Sequence, residues 1–334
     1  MDGAVRLSIV VPCYNEEAVL RECARQLRGC LQGLIHDGKI STESGILFVN
    51  DGSSDGTWEL IEELCREDAL FLGVCLSRNF GHQGALLAGL HTAPGDAVIS
   101  IDADLQDDLK AIGQMVDRFR EGFDIVYGVR RERKLDNAFK RLTALGFYRL
   151  MNILGARTIY NHADFRLMSR RAVEALRDYR EVNLFLRGMV TLIGFRTTTV
   201  IYDRGKRFAG ETKYPLNKML ALSLSAITSF SNVPLRLITM TALFGMLILG
   251  ITFSWVMWAR LFTDRGVPGW ASILLPMLFI GCLNMLALGV VGEYMARIFE
   301  EVKFRPRYLI AATRNLPEAR ENVPRPELIS SRPG

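Results

Sequence analysis

The sequence predicts an α/β domain built on a mostly parallel sheet, followed by an amphipathic helix at a membrane interface and a hairpin of two transmembrane helices. Two observations support this prediction. In the first half of the 334-residue chain, short apolar runs alternate with helical patterns, which is typical of a parallel sheet covered by helices. Two long apolar stretches then occupy residues 234–261 and 270–298, and each is long enough to cross a hydrocarbon core of about 30 Å.

Four apolar runs rich in β-branched residues predict the strands of the sheet, with helical patterns between them. The predicted strands are residues 7–11, 46–49, 71–76 and 97–101, and the predicted helices include residues 16–29, 57–66 and 84–91. Ligand sites in such sheets lie at the carboxyl ends of the strands. Functional residues are therefore expected in three polar segments that follow strands, at residues 12–16, 50–57 and 102–106.

Changes in composition divide the chain into four predicted parts. They are an α/β domain at residues 1–205, a loop and amphipathic helix at 206–232, two membrane spans within 233–299 and a partly disordered cytoplasmic tail at 300–334. The amphipathic helix is predicted to lie in the membrane interface, although a surface helix packed on the α/β domain has the same pattern. The tail is rich in proline and charge, which is typical of a mobile end.

The distribution of basic residues predicts the topology. The formal net charge is +5, and arginines and lysines cluster on both sides of the apolar stretches. The positive-inside rule places both flanks in the cytoplasm and residues 263–269 outside. The N-terminal apolar stretch is too brief for a signal peptide, so we expect an inner (plasma) membrane protein with a cytoplasmic α/β domain and cytoplasmic termini. No nucleic-acid partner is expected, because the basic residues do not follow an aromatic-studded stripe.

The sharpest cluster of candidate functional residues follows the fourth predicted strand. Asp102 and Asp104 lie two residues apart at the end of a buried strand, and Gln106 adds a neutral oxygen. Such oxygens suit a hard divalent ion, Mg²⁺ or Mn²⁺, that carries a diphosphate. The ion would offset negative charge on a departing diphosphate. The next two aspartates, Asp107 and Asp108, can instead be explained as negative charges at the N-terminus of a helix.

A turn-rich segment after the second predicted strand carries two further carboxylates. Asp55 is suited to cap the helix that follows, and the glycines and serines around it need no ligand to explain them. Asp51 comes directly after a buried strand, where the turn-and-cap interpretation explains it less well. It is suited to accept hydrogen bonds from a nucleotide base or ribose.

Six segments, in order, resemble the family 2 glycosyltransferases of the GT-A (Rossmann-like) fold, in particular the polyisoprenyl-phosphate hexose transferases related to dolichol-phosphate mannose synthase. The matching segments are residues 9–17, 49–57, 77–85, 101–108, 163–168 and 207–214. The two predicted spans look like those of bacterial undecaprenyl-phosphate glucosyltransferases. The resemblance covers roughly two-thirds of the chain, and it implies a GT-A catalytic domain with metal-dependent hexosyltransferase activity.

The resemblance implies a role for each matching residue. The nucleotide-sugar would be held by Pro12, Tyr14, Glu16, Asp51, Arg78, Gln83 and Asp102. The metal would be held by Asp102, Asp104 and Gln106. The resemblance also implies that Asp104 takes part in catalysis. Asp164 matches the acidic residue that faces the sugar and is usually assigned as the catalytic base.

The chemistry of the acceptor favours another role for Asp164. The second pKa of a phosphate monoester is about 6, so a lipid phosphate is already largely a dianion at neutral pH and hardly needs a base. We therefore predict that Asp164 mainly positions the sugar or supports the acceptor site.

Basic residues near the predicted amphipathic helix complete the candidate site. Arg207 and Lys213 precede the helix, and the resemblance favours them as ligands of the acceptor phosphate, although they are also positive charges next to a membrane. The basic stretch 130–134 is equally consistent with a mobile loop and a solvated face. His82 departs from the residues often found at its position in related enzymes, and a neutral structural substitution is favoured over a role in donor choice.

The predicted reaction transfers one hexose from a nucleotide-sugar to undecaprenyl phosphate with inversion at the anomeric carbon. UDP-glucose is the first choice of donor, and UDP-N-acetylhexosamine, UDP-galactose, a modified pentose and GDP-mannose are alternatives. A processive polysaccharide synthase is disfavoured because the chain lacks a Q-x-x-R-W segment and further spans. A non-catalytic membrane scaffold that assists a flippase is the alternative of another class. Glycines in the spans are compatible with helix packing in a homo-oligomer.

Overall fold

A computed structural model describes residues 4–131, 162–179, 181, 186–203, 271–316 and separate positions between 238 and 262. Within these residues, helices cover both faces of one eight-stranded sheet. The strands are β1 (Leu7–Cys13), β2 (Gly45–Asn50), β3 (Phe71–Leu76), β4 (Ala97–Ser100), β5 (Ile125–Arg130), β6 (His162–Ser169), β7 (Thr197–Tyr202) and β8 (Ile310–Arg314). The helices are α1 (Glu17–His36), α2 (Thr57–Glu67), α3 (His82–Thr92), α4 (Lys110–Arg120), α5 (Arg170–Arg177), α6 (Leu186–Leu192) and α7 (Ala271–Val302).

The four strands expected from the sequence form a parallel block in the order β4-β1-β2-β3. β1 is central, and its Ile9 lies opposite Ile46 of β2 and Ile99 of β4. Strands covered by helices on both faces are apolar throughout, and every residue of β1 and β2 is buried. The prediction of an α/β domain is confirmed.

The complete sheet is mixed, because β6 runs antiparallel to both of its neighbours, β4 and β5. At one edge β7 pairs in parallel with β5, and at the other edge β8 pairs antiparallel with β3. The antiparallel direction of β6 matters for the site, since it brings the beginning of β6 beside the carboxyl end of β4.

Alternate side chains of the central strands pack on opposite faces of the sheet. Ile9 belongs to the core shared with α1, α2 and α4, whereas Val10 belongs to the core shared with α3. Gly89 allows α3 to approach β1 closely. A Cβ at this position would lie 2.3 Å from Cγ1 of Val10 and 2.9 Å from Cγ2 of Val49.

The second apolar stretch expected from the sequence lies in α7. Its segment Phe279–Val302 is long and apolar enough to cross a membrane, with a mean hydropathy of 1.5, and its apolar window is not buried within the protein. The first predicted span is described only at separate, helical positions between 238 and 262. Residues 206–232 and 263–270 lie outside the described residues. The two-helix hairpin and the interfacial helix therefore stay predictions.

The chain returns to the α/β domain directly after α7. Residues 310–314, which the sequence analysis placed in a tail, form β8 and extend the sheet. Before β8, Arg307 donates a hydrogen bond to the Tyr179 carbonyl at 2.6 Å, and the Tyr308 hydroxyl lies 3.0 Å from Nδ1 of His91. Burial, together with nearby arginines, lowers the pKa of His91 to about 3, so this ring is neutral at physiological pH. These contacts join the segment after α7 to α3 and to the residues that follow α5.

Gly89→Ala is expected to destabilise the α/β domain by about 1–3 kcal/mol, because the added Cβ would overlap two valines in a filled core. Gly29→Ala is the matched control, since this glycine of α1 is exposed and nothing lies within 4 Å of an added Cβ. The control should be stabilised by about 0.5–1 kcal/mol through helix propensity. Urea unfolding in detergent measures both free energies, and equal stability of the two variants would contradict the close contact between α3 and β1.

Candidate active site

The strand order brings carboxylates from distant parts of the chain to one edge of the sheet. Asp51 follows β2, and Asp102 lies two residues beyond the end of β4. Asp164 lies near the beginning of β6, which pairs Arg166 with Ser100 of β4. The Ser100 hydroxyl also donates a hydrogen bond to the Asp164 carbonyl. Asp164 therefore meets the carboxyl end of β4, although more than sixty residues separate them in the chain.

Asp164 is almost completely buried and is surrounded by polar partners. Its Oδ1 lies 3.3 Å from Nη2 of Arg166, a side chain with no exposed surface. Its Oδ2 accepts a hydrogen bond from Nε2 of Gln83 at 3.4 Å and lies 3.5 Å from Nε2 of His82. Because a buried carboxylate without a charge partner is costly, the Arg166 guanidinium stabilises the ionised form of Asp164 and fixes its orientation.

Asp102 lies on the other side of His82, whose Nε2 is 3.7 Å from Oδ1 of Asp102. The pKa of the Asp102 carboxyl is raised to about 6, mainly by burial. His82 lowers this pKa, and the negative charges of Asp164, Asp107 and Asp104 contribute to raising it. The site therefore concentrates negative charge, and a bound cation would favour the ionised form of Asp102.

The turn after Asp102 carries two more oxygen-bearing side chains, those of Asp104 and Gln106. Oδ1 of Asp104 accepts a hydrogen bond from the backbone N–H of Gln106 at 3.2 Å. Leu105, inside this turn, has a left-handed φ of 56°, a conformation that costs energy for a residue with a branched side chain. The Oε1 atom of Gln106 is buried and has no hydrogen-bond partner among the described residues.

The predicted ligands Asp102, Asp104 and Gln106 fit a divalent cation by their chemistry. They supply carboxylate and amide oxygens, which Mg²⁺ and Mn²⁺ prefer, and a buried acceptor without a partner is a position where a ligand is expected. Within the described part of the chain, no three or more Asp, Glu, His or Cys side chains are grouped to hold a metal. The two carboxylates and the amide would supply only part of a coordination shell, which a diphosphate and water would complete.

Asp107 is an anchor of the site. Its side chain is 1% exposed, and Oδ1 accepts a hydrogen bond from the Tyr202 hydroxyl at 2.5 Å and lies 3.5 Å from Nη2 of Arg130. Asp108 fits the interpretation of a charge at a helix N-terminus, since its Oδ1 accepts a hydrogen bond from the Lys110 N–H at 3.0 Å. These contacts join the segment after β4 to β5 and β7.

The residues predicted to hold the nucleotide lie around the ends of β1 and β2. Asp51 is buried, and its Oδ1 accepts a hydrogen bond from the Phe80 N–H at 2.7 Å. The Arg78 guanidinium lies over the Phe80 ring, 4.1 Å from its centroid. Burial raises the pKa of Asp51, and the backbone N–H groups of Phe80 and Gly81 oppose this shift. Asp51 therefore fastens the loop that carries Arg78.

The first strand presents the other nucleotide candidates in different environments. Pro12 is buried in β1 opposite Val49, whereas Tyr14 is 49% exposed beyond the strand. The Glu16 N–H donates a hydrogen bond to the Thr57 hydroxyl at 2.9 Å. Only Tyr14 of these presents an exposed aromatic ring at the strand end.

The structure thus brings four predicted residues into one cluster, namely Asp102, Asp104, Asp164 and Gln83. Gln106 is joined to this cluster through its backbone N–H, which donates a hydrogen bond to Asp104. Two further predicted residues lie outside the described part of the chain. Arg207 and Lys213 lie outside the described residues.

The sequence analysis does not predict the contacts that His82 and Arg166 make with the carboxylates. His82 was interpreted as a structural substitution, but its imidazole lies between Asp102 and Asp164. Arg166 is flanked by the buried apolar residues Phe165 and Leu167, and a charged residue within a buried run was the signal that could have revealed it.

Helices cover a sheet with a parallel central block, and acidic residues gather at the carboxyl ends of its strands, which is where α/β enzymes bind their ligands. The model of the family described as Glycosyl transferase family 2 matches residues 8–177, and the chain belongs to this family.

Curated relatives match nearly the whole chain. The Uncharacterized glycosyltransferase YkoT of Bacillus subtilis (strain 168) is 50% identical over 306 residues, which are 91% of this chain and 90% of the relative. The Prophage bactoprenol glucosyl transferase homolog of Escherichia coli (strain K12) is 38% identical over 307 residues, 92% of this chain and 98% of the relative. Among solved structures, glucosyl-3-phosphoglycerate synthase from Mycobacterium tuberculosis matches with 19% identity and a TM-score of 0.44, covering 68% of this chain and 79% of that chain.

His82→Ala is expected to lower the turnover of glycosyl transfer about tenfold, equivalent to about 1.4 kcal/mol in the barrier. The reason is that His82 bridges two carboxylates of one negatively charged cluster. His36→Ala is the matched control, because His36 also lies beside an aspartate, Asp37, but its side chain is 91% exposed on the surface. Steady-state kinetics measure both variants. If the two variants turn over equally, the His82 contacts play no part in the reaction.

Proposed function

We propose that this protein transfers a single hexose, with UDP-glucose as the first candidate donor, to a polyisoprenyl phosphate of the undecaprenyl type. The observation that carries the proposal is the pairing of Asp102 with Asp164 through His82, in a chain whose relatives include bactoprenol glucosyl transferases along almost their full length. The product is a hexose joined to the lipid by a phosphodiester.

The reaction is a single in-line displacement. An oxygen of the carrier phosphate attacks the anomeric carbon, the bond from that carbon to the diphosphate oxygen breaks, and the nucleoside diphosphate leaves with the bonding electrons. The configuration at the anomeric carbon inverts, so an α-linked donor gives a β-linked product. The acceptor is already ionised near neutral pH, and the protein contributes mainly position and charge stabilisation.

Asp102, Asp104 and Gln106 are the residues that would hold Mg²⁺ or Mn²⁺ beside the diphosphate. The ion supplies Lewis-acid stabilisation of the leaving group. Asp51, Arg78, Pro12, Tyr14 and Glu16 are proposed to hold the nucleotide, as the resemblance implies. Arg207 and Lys213 are proposed to contact the acceptor phosphate, and their positions next to the predicted amphipathic helix support this role.

Asp164 is proposed to position the sugar. Arg166 and Gln83 fix its carboxylate in one orientation, and the dianionic acceptor phosphate hardly needs a base. This arrangement favours hydrogen bonding to sugar hydroxyls over removal of a proton.

The proposed location is the inner (plasma) membrane, with two spans and the catalytic domain and both termini in the cytoplasm. The exposed apolar surface of α7 supports a membrane contact, and the basic flanks support the orientation. Self-association through the glycines of the spans is part of the same proposal.

The function is tested by transfer of labelled sugar from a panel of UDP- and GDP-sugars to undecaprenyl phosphate, using the purified full chain in detergent with and without Mn²⁺ or Mg²⁺. Metal-dependent transfer from one donor is the expected result. If the intact, folded protein consumes no donor, the non-catalytic scaffold becomes the better interpretation. A product that retains the configuration of the donor would contradict the single displacement.

Asp164→Asn is expected to lower turnover about 100-fold, a cost typical of a misplaced substrate, and the loss should be constant between pH 6 and 9. Asp117→Asn is the control, because it removes a carboxylate paired with Lys39 at 2.7 Å on the surface. The pH profile of turnover distinguishes the two roles of Asp164. Full recovery of the variant at high pH would show that the residue acts as an ordinary base.

A further inference from the structure

A surface pocket of about 470 Å³ lies where the C-terminal return meets the catalytic domain. Residues 78–84 form one wall, and Arg305, Pro306 and Arg307 form the other. The second wall belongs to the segment between α7 and β8, which the sequence analysis assigned to a tail. The pocket is therefore shared between the catalytic domain and the chain that follows the apolar helix.

The chemistry of the pocket suits a phosphate. Its ten lining residues include three arginines and no carboxylate. A guanidinium presents several N–H donors in a plane that matches the oxygens of a phosphate. The wall of residues 78–84 also contains the first turn of α3, and backbone N–H groups at the beginning of a helix favour an anion.

The pocket adjoins the reacting groups. His82 and Gln83 both line it, and the same two side chains contact Asp164, while His82 also lies 3.7 Å from Asp102. A phosphate in the pocket would therefore lie beside the cluster at which the sugar is expected.

The pocket also adjoins the apolar helix. Arg305 comes three residues after Val302, the last residue of α7. Arg307 is held by its hydrogen bond to the Tyr179 carbonyl, and the next residue, Tyr308, contacts His91. Pro306 restricts the backbone between the two arginines. Arg307 is thus held in place, and both arginines lie within five residues of the end of α7.

We propose that this pocket binds the phosphate of the lipid acceptor, with Arg305 and Arg307 as phosphate-binding residues supplied by the C-terminal return. The proposal rests on the proposed function. Arg207 and Lys213, the acceptor-binding residues implied by the resemblance, precede the predicted spans. Arg305 and Arg307 follow them and would be a second source of positive charge for the same phosphate. Two other phosphates share the chemistry, namely the diphosphate of the donor and the headgroups of anionic phospholipids.

The test compares Arg305→Ala with Lys303→Ala in the full chain. Both changes remove one exposed positive charge from the same short segment, but Lys303 does not line the pocket. Initial rates are measured against undecaprenyl phosphate in a neutral detergent without anionic lipid, and against the donor. Arg305→Ala is expected to raise the KM for the carrier about tenfold or more, the effect of losing a charge-assisted hydrogen bond. The KM for the donor should stay unchanged, and Lys303→Ala should behave as wild type.

A second arm measures binding of the same proteins to vesicles of phosphatidylcholine with and without phosphatidylglycerol, and equal binding by the two variants is expected. Three results would overturn the proposal: an unchanged KM for the carrier, an increase confined to the KM for the donor, or a defect of Arg305→Ala seen only with anionic vesicles. If the wild-type protein transfers no sugar to the carrier, the proposed function itself fails. Thermal unfolding of both variants verifies that they are folded.

Discussion

Negative charge gathers at one edge of the sheet, and the surrounding structure is arranged to make that charge tolerable. Removal from water and repulsion by other carboxylates both disfavour an ionised carboxylate, and the pKa of Asp102 is raised to about 6, mainly by burial. Arg166 is buried beside Asp164, Tyr202 and Arg130 hold Asp107, and backbone N–H groups hold Asp51. These partners hold the carboxylates in position and also stabilise their negative charge. The same contacts therefore determine both the geometry and the electrostatics of the site.

The need to stabilise several negative charges explains why residues from many helices and strands contribute to the site. The carboxylates come from three places in the fold. Asp51 follows β2, Asp164 lies near the beginning of β6, and three aspartates follow β4, namely Asp102, Asp104 and Asp107. Arg166 and Asp164 are two residues apart in β6 and so leave on the same face of that strand, whereas Tyr202 reaches Asp107 across the sheet from β7. The long-range contacts of Asp107 with β7, and of Asp164 with β4 and α3, make the cluster dependent on the complete fold.

The sequence predicted the elements whose pattern is set locally. The first four strands are buried on both faces and read as apolar runs, and Asp102, Asp104 and Gln106 follow one of them directly. β6 carries buried charges, β7 has alternating exposure and β8 is mostly exposed, so their strand character depends on partners that periodicity does not reveal. Asp164 could be placed only by resemblance, because its approach to Asp102 depends on the antiparallel pairing of β6 with β4. His82 could not be placed, since nothing local distinguishes a bridging histidine from an ordinary helix start.

The pairing of β8 with β3 has a consequence for where the enzyme works. Seven residues, 303–309, join the end of α7 to β8, and a fully extended chain of that length spans about 25 Å. Since β8 is part of the sheet, this short link would limit the height of the catalytic centre above the bilayer when α7 spans it as proposed. A soluble donor diffuses to any height, whereas the phosphate of a membrane lipid stays at the surface. A link of this length would keep the catalytic centre within reach of the less mobile of the two proposed substrates.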